Sequence, residues 1–174
     1  MISDEIIAKM KKIKVLIMDV DGTLTDAKTY YSKNGEELKS FNIRDGMGIV
    51  LWHKNGLKSA IITSESSEIV TKRGEKLNIS KILLGSKQKK EDTLSLAEYF
   101  NCNLDEIAYI GDDVNDYHSM QICGLSACPS DSIQSIKNIA DLILENKGGN
   151  GAVRELIDCI LVAKSKPIIL EEKW

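Results

Sequence analysis

Short apolar runs at Lys58 to Thr63, Lys81 to Leu84, Glu106 to Ile110, Leu125 to Cys128 and Asp141 to Leu144 alternate with segments of helical periodicity. No other feature of the sequence restricts the fold as strongly. Parallel strands cannot be joined by a tight turn and need a crossover, usually a helix, that returns the chain to the same end of the sheet. The intervening helices are read at Ser67 to Leu77, Lys89 to Phe100, Val114 to Ile122 and Ser132 to Asn138, with a last one at Ala152 to Ala163 after the glycine loop Gly148-Gly149-Asn150-Gly151. Upstream, Ile13 to Met18 supplies a first strand behind an amphipathic lead-in over residues 2–12. A helix from Arg44 to Asn55 places Met47, Val50 and Leu51 on one face and stops at Asn55-Gly56. The pattern predicts an α/β fold: a Rossmann-like, doubly wound parallel sheet covered on both faces.

One excursion breaks the alternation. Thr29 to Ser32 and Glu37 to Phe41 flank Lys33-Asn34-Gly35-Glu36, which predicts a β-hairpin over about residues 28–41 with Asn-Gly at its turn. The segment is too short for a separate lid. With 174 residues, 43% of them apolar, the chain suits one domain over 1–174, ending in a tail over 164–174 that lacks periodicity and in which Pro167 argues against helix continuation.

Charge excludes more than it suggests. The chain has 23 basic and 26 acidic residues, net -3, without the basic excess of a dedicated nucleic-acid binder. No apolar run is long enough to span a bilayer and no signal-peptide core is present, so a soluble, cytoplasmic protein is expected. Cys102, Cys123, Cys128 and Cys159 form no CxxC pair, which favours reduced structural thiols over zinc or a redox dithiol. His53 falls mid-helix and His118 has no evident nucleophile to serve.

Functional groups in open α/β sheets collect beyond the carboxyl ends of the strands. There the sequence offers Asp19 and Asp21 after the first strand, Thr63 after the second core strand and Gly111-Asp112-Asp113 further on, with Lys89 opening a helix at the same edge. Asp19-Val20-Asp21-Gly22 taken alone also reads as an acidic turn. Together the groups make a hard, oxygen-rich site suited to Mg²⁺, with a hydroxyl and a cation placed to bind phosphate. The implied chemistry is phosphoryl transfer through an aspartyl-phosphate.

Asp19-Val20-Asp21-Gly22-Thr23, Thr63, Lys89 and Gly111-Asp112-Asp113-Val114-Asn115-Asp116 resemble the four ordered motifs of haloacid dehalogenase superfamily phosphatases. The resemblance implies Asp19 as nucleophile and Asp21 as acid–base. It also implies magnesium on Asp19, the Asp21 carbonyl and Asp112, with Asp113 or Asp116 in support. Over nearly the whole chain, Asn34 to Gly46 and Gly148 to Glu155 resemble the capless 3-deoxy-D-manno-octulosonate 8-phosphate phosphatases and their relatives acting on nine-carbon ulosonate 9-phosphates. That family implies a phosphorylated sugar acid as partner, a pocket lined by Asn42, Ile43, Arg44, Asp45 and Gly46, and a homotetramer in which the hairpin packs on neighbouring subunits. One departure stands out: many octulosonate enzymes carry Gly-Arg after the motif-two hydroxyl, where this chain has Ser64-Glu65. Glu65 resembles the nine-carbon enzymes and cannot pair with a substrate carboxylate, although an acid here also suits a helix N-terminus. Arg44 and Arg154 are candidate carboxylate binders or intersubunit ion-pair residues, while Arg73 either reaches the pocket edge or lies on a solvated helix face.

Two other classes compete with the enzyme. A non-catalytic oligomerisation or regulatory module, like the phosphatase-like part of some sialic acid cytidylyltransferases, would keep the fold without turnover. A receiver domain would carry its phosphorylated Asp after the third strand, where this chain has Leu84-Gly85-Ser86.

Overall fold

The structure, a computed structural model, describes residues 2–170 and 172. Strand β1 (Val15–Met18) lies at its centre, with every residue buried. Two further strands precede the next helix, β2 (Tyr30–Ser32) and β3 (Gly35–Leu38), and the remaining five are β4 (Lys58–Ile62), β5 (Lys81–Leu83), β6 (Ile107–Ile110), β7 (Leu125–Cys128) and β8 (Leu142–Ile143). Six of them form one parallel sheet in the order β5-β4-β1-β6-β7-β8, while β2 and β3 pair separately and antiparallel. The chain therefore winds outward from β1 through β4 and β5, returns to the other side of β1, and winds outward again. Loops leaving β1, β4 and β6 consequently share one crevice.

Helices α1 (Asp4–Lys12), α2 (Ile43–Lys54), α3 (Glu68–Lys76) and α7 (Ala152–Ala163) cover one face. The other is covered by α4 (Lys89–Tyr99), α5 (Tyr117–Ile122) and α6 (Gln134–Lys137). The period of two along β1 divides the core: Leu16 and Met18 pack with Trp52 and Leu156, whereas Val15 and Ile17 pack with Leu96 and Met120. A strand buried on both faces is mostly apolar, which is why these runs are legible. Among the described residues no helix is long and apolar enough to cross a membrane, and all four cysteines are free.

The hairpin differs from its sequence reading by one residue. Its turn is Lys33-Asn34, with Ser32 paired to Gly35. Gly35 enters β3 at φ +110°, and Ser32 Oγ accepts from Asn34 N at 3.0 Å, so the serine hydroxyl fixes a turn that Asn-Gly was expected to fix. Lys39 to Phe41 leave the strand, and Phe41 instead bridges Thr25. Of the expected C-terminal tail, Glu171, Lys173 and Trp174 lie outside the described residues.

Candidate active site

The backbone delivers the acids directly. Asp19 N donates to Ile110 O at 3.0 Å, extending the β1–β6 ladder one residue, and Gly22 at φ +91° then turns the chain away. The glycine loop buttresses this turn. Gly149 N donates to Thr23 O at 2.9 Å, and a Cβ on Gly148 would lie 1.8 Å from Gly22 O, so two backbones meet where no side chain fits.

Asp19 is 3% exposed and Lys89 4%. Lys89 Nζ donates to Asp19 Oδ1 and to Asp116 Oδ1, both at 2.7 Å. Asp116 is fully buried and its acceptor sites are taken: Oδ1 also receives Tyr109 OH at 2.8 Å, and Oδ2 receives Asp112 N at 3.0 Å and Asp113 N at 3.4 Å. That pair of backbone bonds explains why α5 begins at Tyr117 instead of the expected Val114, since residues 113–116 form a turn folded around the Asp116 carboxylate. Thr23 Oγ1 donates to Asp112 Oδ1 at 3.3 Å.

Crowding shows in the electrostatics. Burial first, then the Asp116 charge, push Asp19 well above the usual carboxylate range despite the opposing pull of Lys89. Asp112 is pushed up to about 7 by burial and by Asp116. Burial works against the charged form of Lys89, but the two carboxylates outweigh it and raise its pKa. Tyr109, raised by burial and by Asp116, keeps its proton and remains a donor.

Carboxylate oxygens of Asp19, Asp112 and Asp116 all lie within 4.8 Å of one another. Such a donor set fits a hard cation. Asp116, already saturated by four donors, is better suited to holding Lys89 and the Asp112 loop than to binding metal itself.

A cavity of about 190 Å³ opens over Asp19, lined by Asp21, Thr63, Glu65, Asp113 and Asn115 among others. Thr63 is 1% exposed, and its Oγ1 accepts from Glu65 N at 3.3 Å. Asn115 Nδ2 donates to Ser64 Oγ at 3.0 Å, tying the loop after β6 to the loop after β4. The structure thus brings Asp19, Asp21, Thr63, Lys89, Asp112, Asp113 and Asp116 together, with Glu65 at the rim.

The Asn42 to Gly46 segment is placed differently. Asn42 caps α2, its Oδ1 accepting from Arg44 N at 2.7 Å, while Ile43, 82% exposed, and Arg44 point to solvent. Asp45 is 1% exposed and gives both oxygens to α7, accepting from Gly151 N at 3.2 Å and Arg154 N at 2.8 Å. Gly46 lies under Arg73, where a Cβ would meet Nη2 at 2.6 Å. Arg73 donates to Asn42 O at 3.1 Å and stacks on Phe41 at 5.5 Å, bracing this segment from within. Arg154 pairs with Asp158 on its own helix at 2.9 Å.

Four participants have no individual role in the sequence reading: Thr23, although it closes the first motif, Tyr109, and Glu36 and Lys39 of the hairpin. Tyr109 has a signal, a hydroxyl inside the otherwise apolar run Ile107-Ala108-Tyr109-Ile110. The Lys39 Nζ donates to Asp21 Oδ1 and, at 2.9 Å, to Glu36 Oε1.

Comparison with known proteins gives a consistent answer. The model of the haloacid dehalogenase-like hydrolase family matches residues 53–156, a span holding Thr63, Lys89 and Asp112. The 3-deoxy-D-manno-octulosonate 8-phosphate phosphatase of Haemophilus influenzae is 36% identical over 163 residues, covering 94% of this chain and 91% of that protein. Its Escherichia coli K12 counterpart is 38% identical over 165 residues, covering 95% and 88%. The Moraxella catarrhalis enzyme, solved in complex with a magnesium ion, a phosphate ion and KDO, superposes with a TM-score of 0.90 at 36% identity, covering 93% of each chain.

Proposed function

The chain belongs to the haloacid dehalogenase-like hydrolases and, within them, to the 3-deoxy-D-manno-octulosonate 8-phosphate phosphatase family, and on that premise we propose that it hydrolyses a 3-deoxy-2-ulosonate phosphate with the help of magnesium. The observation that carries this reading is the meeting of Asp19, Asp112, Thr63 and Lys89 at the ends of neighbouring strands beside an open cavity. Asp19 and Asp112, with the Asp21 carbonyl, would hold Mg²⁺, which when bound offsets phosphate charge and lets the dianion approach a carboxylate. An Asp19 oxygen attacks phosphorus as the ester P–O bond breaks, and Asp21 gives its proton to the departing alkoxide. Asp21 then takes a proton from water as that water attacks phosphorus and frees Asp19. Thr63 donates to a phosphate oxygen and Lys89 fixes the nucleophile. A panel of eight- and nine-carbon ulosonate phosphates tests the reading, and absence of phosphate release from all of them would return the chain to a non-catalytic module.

Glu65 favours a second reading, a nine-carbon substrate such as an N-acylneuraminate or KDN 9-phosphate. Its place on the cavity wall supports a role as selector. Glu65→Arg is expected to shift the eight- to nine-carbon ratio of kcat/KM toward the octulosonate by about tenfold, the weight of one charge-assisted hydrogen bond; an unchanged ratio removes Glu65 from the selecting groups.

We also infer a homo-oligomer, a tetramer by family expectation. Tyr31 (70% exposed), Leu38 (63%) and Ile43 (82%) leave apolar surface on and beside the hairpin. Light scattering is expected to give a multiple of the chain mass that Tyr31→Glu with Leu38→Glu reduces; a wild-type monomer would contradict this.

A further inference from the structure

We propose that Lys39 is a positioning residue for the reaction, holding the Asp21 carboxylate and making the hairpin part of the working site; this rests on the reading of Asp21 as the acid–base. The Lys39 side chain is 1% exposed, whereas that of Asp21 keeps 29%. Its ammonium donates to Asp21 Oδ1 and to Glu36 Oε1, and Glu36 Oε2 in turn accepts from Ser67 Oγ. Ser67 is the residue that precedes α3 at its N-cap and is 3% exposed. A continuous polar chain therefore runs from the start of α3, through the hairpin, to Asp21.

Two physical points give this chain its meaning. Sealing an ammonium from water is costly unless its partners are charged and fixed, and here both partners are carboxylates, one of them anchored from behind. A side chain so enclosed is not available to a sugar in the cavity, so its influence on the chemistry passes through Asp21. Among the described residues, Lys39 is the one side chain bonded to the Asp21 carboxylate. Asp21 precedes a glycine turn with its carboxylate 29% exposed, and among the described residues no other hydrogen bond or ion pair holds that carboxylate. With Oδ1 held, Oδ2 is left to carry the proton to the leaving oxygen, so Lys39 selects the reacting oxygen and its place. Proton transfer is sensitive to such placement, a displacement near 1 Å costing about 100-fold.

The test compares two esters with the full-length chain. A sugar-acid phosphate, whichever of the panel turns over fastest, leaves as an alkoxide and needs the Asp21 proton. p-Nitrophenyl phosphate leaves as a stable phenolate and does not. Because kcat/KM reports steps through departure of the leaving group, Lys39→Met is expected to lower it about 100-fold on the sugar ester and less than about fivefold on the aryl ester. Equal losses on the two esters, or no loss, overturn the inference. Should Lys39→Met fail to fold, Glu36→Gln and Ser67→Ala, which loosen the anchor, are expected to show the same selective loss at about 3–10-fold, and a loss shared equally by both esters overturns it again. A wild type that releases phosphate from neither ester brings down the phosphatase reading and this inference together. Wild-type turnover with an unselective Lys39 variant brings down this inference alone.

Discussion

Asp19→Asn is expected to lower phosphate release by at least about 10⁴-fold while leaving the fold intact, because the substitution removes the attacking oxygen and nothing else of comparable shape. The asparagine carbonyl can still accept from Lys89 Nζ, which reaches the aspartate at 2.7 Å. Stability moves the other way. Burial and the neighbouring Asp116 charge already disfavour the ionised form of Asp19, so a neutral isostere relieves desolvation and repulsion in the metal-free protein. Thermal melting in a chelator near neutral pH is expected to place Asp19→Asn at or above wild type, and magnesium is expected to raise its melting point less. Such a split, activity lost and stability kept, is the usual behaviour of a strained functional carboxylate. Full magnesium-dependent turnover by Asp19→Asn would remove Asp19 as nucleophile.

Legibility in the sequence follows burial. β1, β6 and β7 are buried at every position, so each is visible as a mostly apolar run, broken only by the Tyr109 hydroxyl in β6 and by Ser126 in β7. The acids after β1 and β6 stand out because an apolar run that stops in carboxylates is uncommon without a purpose. Thr63 and Lys89 can be placed because strand and helix boundaries fix which edge they share. The groups that escape do so for a common reason: their partners are set by tertiary folding, not by period. Lys39 lies 18 positions from Asp21 and Glu36 lies 31 from Ser67, separations that no helical or strand repeat connects. The family resemblance makes Asp45 a pocket acid, yet the packing of α2 against α7 turns it into a clasp for Gly151 N and Arg154 N. The first turn expected of α5 goes to the Asp116 carboxylate instead, since two backbone donors find a charged acceptor there. Arg73 reads as a surface or pocket-edge residue, and the structure spends it on Asn42 O and Phe41.

Lys89→Met is expected to destabilise the metal-free protein by about 3–5 kcal/mol near pH 8, and by less as the pH falls. The methionine fills much the same volume, so the cost is electrostatic: Asp19 and Asp116 lose a cation that bonds both at 2.7 Å inside a site closed to water. The pH dependence does not come from Lys89. Its pKa is raised above 10.5, so the stability it supplies is fully present below that value and is lost only above the folded one. The slope comes from the acids. Asp19 and Asp112 are raised above 3.8, the latter to about 7, so across that window the fold binds protons that the unfolded chain has released. The contribution of these two carboxyls to the stability of the metal-free wild type therefore falls as pH rises from about 4 to about 7. Without the ammonium, which lowers both, Asp19 and Asp112 hold protons to higher pH still, which carries the fall further up the scale. Urea unfolding in a chelator is expected to show a small deficit for Lys89→Met near pH 5.5 and a large one near pH 8, and saturating magnesium is expected to recover part of the latter by returning positive charge to the cluster. A deficit of the same size at both pH values would make Lys89 a packing residue and leave the acids to be balanced by something else.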